Sequence, residues 1–201
     1  MTISPCRHIM GSCVGTKEGF CVTIFGKAVG CVAEYNDIYD KNRCLTGRLH
    51  RRGTAWGEGE YGLVVCVWVH DGKGNLLLTR RAPQKSFAGT WENSGGAAKA
   101  GETSRQAIAR ELYEETGIEA AQEEFEYIGS DRDSNTFYDF YCLKNTTPLS
   151  DIRLLPGETD GAKWVSVRQA EQMVVSHQIC QIIGKQFLRQ KQEILKRQSA
   201  Q

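Results

Sequence analysis

The 201-residue chain predicts an α/β fold in which helices flank a mixed central sheet. Three observations carry that prediction. The elements run strands, helix, strands, helix, an order that lets helices cover a sheet. The run "LVVCVWV" at 63–69 is apolar without alternation, as expected of a strand covered on both faces. A last helix over about 177–197 places Ile179, Ile182, Ile183, Phe187 and Ile194 on one core-facing stripe.

Taken in order, residues 1–32 lack a clear period and are read as an N-terminal extension, with the main domain at 33–201. Within the extension Cys6, Cys13, Cys21 and Cys31 lack the paired CxxC spacing of a zinc site, so unpaired thiols are expected. The apolar stretch at 20–33 is interrupted by Lys27 and has no basic flank, which argues against a lipid anchor. From Glu34, "EYNDIYDKNRCLTGRLHRRG" holds a short strand followed by turn residues. Strands at 63–69 and 76–81 around "DGKGN" form a hairpin. The glycine-punctuated loop "PQKSFAGTWENSGG" carries Trp91 into a helix that Thr103 or Ser104 caps and Gly117 ends. "FEYIGSDRDSNTFYDFYCLK" reads as one or two strands and "GAKWVSV" as another, before the final helix.

Charge narrows the partners. With 25 basic and 24 acidic side chains the net charge is +1, so no global field draws the chain to a nucleic acid polymer or an anionic membrane. An anionic ligand must be gripped locally. Eight cysteines without an opening secretory signal are expected in a reducing cytoplasm. No run approaches the ~20 apolar residues of a spanning helix. A monomer or homodimer acting on a small molecule is the expectation.

The chemistry concentrates in "GGAAKAGETSRQAIARELYEETGI", residues 95–118. Glu111, Glu114 and Glu115 lie about one turn apart on one helix face, where their like charges repel and invite a cation. Carboxylate oxygens are hard ligands suited to Mg²⁺ or Mn²⁺. Gly95 and Gly96 let backbone pass close to a ligand, and the loop leads to a helix N-terminus whose N–H groups favour phosphate or the Glu102 carboxylate. Ile108 and Leu112 mark the opposite, buried face. A Glu-rich face alone is ordinarily just solvated, so the weight rests on the conjunction.

That conjunction, Gly96, five residues, Glu102, seven residues, Arg110-Glu111-Leu112, one residue, Glu114-Glu115, one residue, Gly117-Ile118, resembles the signature of the Nudix hydrolases at every fixed position. The resemblance implies an α/β/α sandwich with a mixed sheet and a loop-helix-loop motif. It implies hydrolysis of a nucleoside diphosphate linked to some other moiety X, or of a related organic diphosphate. Glu111, Glu114 and Glu115 would hold Mg²⁺ or Mn²⁺, with the Gly96 carbonyl as a further ligand and Arg110 orienting the acids. Glu158, in "PGETDG", resembles a position where some members place a catalytic base.

A softer resemblance over most of 34–170 links "LLLTRRA" and "GTWENS" to the branch related to type I isopentenyl-diphosphate isomerase. Here Trp91-Glu92-Asn93-Ser94 runs directly into Gly95-Gly96, without the proton-transfer cysteine of that branch. Of the metal histidines, a second one falls at Gly62, leaving only His50. Cys66 sits inside a strand run as a small hydrophobe. Hydrolysis is therefore favoured over isomerisation, and a non-catalytic diphosphate-binding module stands behind both. Arg81, rather than Arg80, is taken to pair with phosphate, and His50 with Arg51 and Arg52 to touch a diphosphate tail or to form an exposed turn. Trp91, Phe87 and Tyr61 either stack on a base or belong to the core.

Overall fold

A computed structural model describes residues 33–199 and, before them, the backbone of three short strands. Those strands, β1 (Val14–Thr16), β2 (Gly19–Ile24) and β3 (Lys27–Val29), pair with one another antiparallel. The readings of Cys6, Cys13, Cys21 and Cys31, and of residues 20–33 as no anchor, fall outside the described side chains.

The main body begins with a hairpin, β4 (Tyr35–Tyr39) and β5 (Leu45–Arg51). Then come β6 (Gly62–His70), β7 (Asn75–Arg81), β8 (Trp91–Glu92) and β9 (Ser94–Ala97), and the helix α1 (Ser104–Thr116). The hairpin strands β10 (Glu126–Asp133) and β11 (Thr136–Lys144) follow, then β12 (Thr159–Ser166), α2 (Val167–Val175) and α3 (Gln181–Ser199). The central sheet runs β10-β11-β6-β7-β12, with β8 on β7 and β9 on β6. Only the β11–β6 pairing is parallel within this sheet, so it is mixed.

Strand β6 shows why its sequence lacks alternation. Leu63, Val65, Val67 and Val69 pack with Ala107, Ile108 and Leu112 of α1. Trp68, with Leu76 and Leu78 of β7, packs on the other side against Ala170 and Met173 of α2 and Phe187 and Ile194 of α3. Both faces are covered, which is the α/β/α sandwich.

Two sequence expectations need correction. The segment after β12 is a helix of its own: Ser166 caps α2 in a capping box with Gln169, and Val167, Ala170 and Met173 turn inward. The S-x-x-Q signal lies at the end of the strand pattern "GAKWVSV", where Ser166 closes the strand and caps the helix. The final helix starts at Gln181 rather than 177, so Ile179 precedes it and bridges Trp91, while Ile182 is 43% exposed and off the buried stripe. Among the described residues no helix is long and apolar enough to cross a membrane.

Candidate active site

The loop into α1 is short because β9 ends it. Gly95 and Gly96 pair with Cys66 and Val65 of β6, and the chain then turns into α1 through Thr103, which caps it reciprocally with Gln106. Gly117 closes the helix at φ 71°, the left-handed conformation that suits glycine. The start of the helix is pinned to the sheet: buried Asp139 of β11 accepts from Ser104 Oγ at 2.6 Å and from Arg43 Nη2 at 2.5 Å.

These constraints aim the acids at the end of the sheet. They do not share one environment, as a simple outward face would. Glu114 is exposed, the Glu111 side chain is 15% exposed, and half-buried Glu115 reaches back to accept from the Gly95 N–H at 3.3 Å. Glu115 meets a carboxylate that the sequence reading did not choose. Glu92 of β8 is 9% exposed; burial raises the Glu115 carboxyl, and Glu92 and then Glu111 push it further. Burial pushes Glu92 up as well, with Arg81 opposing, and burial raises Glu111 against the pull of Arg110. Glu92 stands in no motif spacing, and only the β7–β8 pairing of Thr79 with Glu92 swings it beside α1.

The basic residues hold this charge in place. Arg110 donates to Glu102 Oε1 and Oε2 at 2.6 and 2.8 Å, to Glu111 at 2.8 Å and to Glu114 at 3.1 Å. The guanidinium is thereby fixed in charge, its pKa raised by the Glu102 hydrogen bonds and Glu111 despite burial. Burial works against Glu102, yet Arg110 and the Lys99 N–H outweigh it and lower its pKa.

A cavity of about 130 Å³ gathers Glu92, Glu111, Glu114, Glu115 and Glu158 with Arg52, Arg81, Lys85, Lys99 and the Gly95–Gly96 backbone. Of the chosen residues, Glu111, Glu114, Glu115, Arg110, Gly96, Arg81 and Glu158 all line it. Arg81 is bound to Glu92 at 2.5 Å, and Glu158 pairs with Lys85. Arg80 turns instead to Asp160 at 2.6 Å. His50 is not in this cavity; it lies in a neighbouring one, stacked on Trp56. The aromatic candidates are elsewhere too: Lys163 and Arg80 lie over the Trp91 ring, Tyr61 packs on Phe137, and Phe87 is exposed outside the lining. Cys66 is buried, and burial pushes its thiol up.

Six carboxylates line this one small cavity, Glu34 with the five already named, and suit a hard divalent cation; burial raises Glu92, Glu111 and Glu115, and Glu92 and Glu111 add their repulsion at Glu115, which such an ion would relieve. As placed, among the described residues no three His, Cys, Asp or Glu side chains stand together at ligating separation. Arg110 holds Glu111 and Glu114, and Arg81 holds Glu92, so gathering these acids on one ion requires side-chain rotation.

A pH effect on stability follows. For a carboxyl raised by folding, the native state binds more protons than the unfolded chain between the ordinary carboxylate pKa and the raised one. Stability therefore falls as pH rises through that window. The metal-free protein is expected to melt at lower temperature at pH 8 than at pH 5.5, with Glu115→Gln shrinking the difference; an unchanged difference in the variant would remove Glu115 as the cause.

The family described as "NUDIX domain" matches this chain over residues 60–180. An uncharacterized Nudix hydrolase of Listeria monocytogenes is 33% identical over 141 residues, 67% of this chain and 81% of its own length. An isopentenyl-diphosphate Delta-isomerase of Enterobacter sp. strain 638 is 32% identical over 112 residues, 52% of this chain and 61% of its own. Among solved structures, DR0079 of Deinococcus radiodurans has a TM-score of 0.60 at 21% identity, covering 71% of this chain and 90% of its own, which is a likeness of fold.

Proposed function

Because the chain belongs to the Nudix hydrolases and is a hydrolase of phosphoanhydride bonds, we propose that it cleaves a nucleoside diphosphate linked to X, or a related organic diphosphate, using Mg²⁺ or Mn²⁺ in the cytoplasm. The observation that carries this reading is the cavity in which Glu92, Glu111, Glu114 and Glu115 face a rim of Arg52, Arg81, Lys85 and Lys99. Acids for a cation and cations for a diphosphate stand side by side.

Glu111, Glu114 and Glu115, with the Gly96 carbonyl, would hold the ion, and Glu92 would add its charge beside Glu115. When bound, the ion neutralises the diphosphate and acidifies a water. The remaining work belongs to the chain. Arg110, itself anchored by Glu102, keeps Glu111 and Glu114 in orientation. Arg81 and Lys85 offer charge-assisted hydrogen bonds to phosphate oxygens. Once phosphate draws Lys85 away, Glu158 is free to accept a proton from the attacking water.

The test is phosphate and pyrophosphate release from ADP-ribose, nucleotide sugars, nucleoside triphosphates, dinucleoside polyphosphates, coenzyme A and prenyl diphosphates, each with Mg²⁺, Mn²⁺ or chelator. Cleavage of one class that chelator abolishes is expected. Silence from folded protein would point to a binding module. Exchange of substrate protons with deuterated solvent without phosphate release would point to an isomerase.

A further inference from the structure

The cations around the carboxylate cavity are already matched from within. Arg52, Arg81, Lys85, Lys99 and Arg110 each stand in an ion pair with a carboxylate of the same lining, so an incoming phosphate meets occupied donors. Of the lining acids, Glu115 alone has no ion pair among the described residues.

Arg81 differs from the other cations in three ways. Its pair with Glu92 is the least exposed, at 17% and 11% for the two side chains, so water screens it least. Glu92 is its one carboxylate partner among the described residues, whereas Arg110 is also held by Glu102, outside the lining. The Arg81 arm is anchored independently of the acid, because its Nε donates to the Ser86 carbonyl at 2.6 Å and its Nη2 lies 3.4 Å from Ser86 Oγ. Nη1 can therefore exchange one acceptor oxygen for another while Nε keeps the side chain at the cavity.

Glu92 is placed to be drawn away. After burial, its charge is the strongest influence on Glu115, so a cation that offsets Glu115 also attracts Glu92 and repels Arg81. To a guanidinium, carboxylate and phosphate oxygens are equivalent acceptors.

We propose that Glu92 is a built-in rival of phosphate for Arg81, and that a divalent cation at the acids, by competing for Glu92, releases Arg81 Nη1 to a phosphate oxygen. Metal loading and phosphate binding are then coupled through one ion pair, and each tightens the other by the same factor. The inference rests on the phosphoanhydride-hydrolase reading of the cavity and adds a gate to it, with Glu92 as a positioning residue that acts through Arg81.

Equilibrium binding of methylenediphosphonate, whose bridge cannot be hydrolysed, tests this in metal-free buffer and apart from turnover. Glu92→Gln should bind it about fivefold or more tightly than wild type, the lower end of the coupling between linked sites. Glu115→Gln is the control, since it removes the same charge from the same cavity and frees no cation; its gain should be clearly smaller. In an Arg81→Gln background the gain from Glu92→Gln should fall to that of the control. Arg81→Gln also removes the competing cation, so it should bind Mg²⁺ alone about fivefold more tightly than wild type. Equal gains from Glu92→Gln and Glu115→Gln, a full gain without Arg81, or Mg²⁺ binding to Arg81→Gln no tighter than to wild type would overturn the proposal. If Arg81→Gln does not fold, the comparison of Glu92→Gln with Glu115→Gln decides it. Failure of the hydrolase reading would appear separately, as absence of metal-dependent turnover in a protein that still shows these gains.

Discussion

Glu115→Gln is expected to cut metal-dependent turnover by more than about a hundredfold, beyond the 10–100-fold that losing an outer partner of a metal typically costs. The same change should leave the metal-free protein as stable as wild type or more so. The reason is electrostatic. Burial, Glu92 and Glu111 all raise the Glu115 carboxyl, so its ionised form is a burden on the metal-free fold, and an amide of equal size keeps the shape without the charge. Glu114→Gln should also lose most turnover, but without the gain in stability, because Glu114 is exposed and already meets Arg110 and Lys99. Steady-state rates with Mg²⁺, paired with thermal melts with and without the ion, separate the two effects. Retained turnover in both variants would end the assignment of these glutamates as ligands.

Gly95→Ala and Gly96→Ala should fail in different ways. A Cβ at Gly95 would stand 2.2 Å from the Val65 carbonyl oxygen and 2.9 Å from Cys66 Cα, which are backbone atoms of β6 and cannot step aside. The expected cost is about 3 kcal/mol or more, near the top of the range for overpacking. The melting temperature of a domain of this size should then fall by roughly 10 °C. A Cβ at Gly96 would meet the Glu111 carboxylate at 2.4 Å, the far end of a side chain that can swing away. That variant should fold with little loss and yet lose about a hundredfold in turnover, since a misplaced group costs on that order. Melting curves and initial rates for the pair decide it. Equal stability of the two variants would contradict the backbone clash at Gly95, and full activity of Gly96→Ala would show that Glu111 need not hold its place.

Much of the site was legible in the chain because it lies on one helix and the loop before it. Spacing along a helix is also spacing in space, so Glu102, Arg110, Glu111, Glu114 and Glu115 could be placed relative to one another before any fold was known. The caps at Thr103 and Gly117 and the two-sided burial of β6 were readable for the same local reason. Helix α2 is announced locally as well, by the capping box at Ser166 and Gln169, but that signal overlaps the end of a strand pattern and is masked by it.

What no spacing announced depends on strands far apart in sequence. Glu92 looks like a loop residue until β8 pairs with β7 and brings it to Glu115. The chain shows Arg81 and Glu158 only as a charge after a strand and a charge in a loop. Register between β7 and β12 brings both to one cavity and turns Arg80 away to Asp160. His50 moved from a candidate phosphate contact to the support of Trp56 because the β4–β5 ladder, not its basic neighbours, sets where its ring lies. The sequence by itself thus determined the chemistry of the helix, where geometry is local and periodic. Only the tertiary structure decided which other charges meet that helix and what cavity lies beside it, because strand pairing joins residues whose separation along the chain carries no period to read.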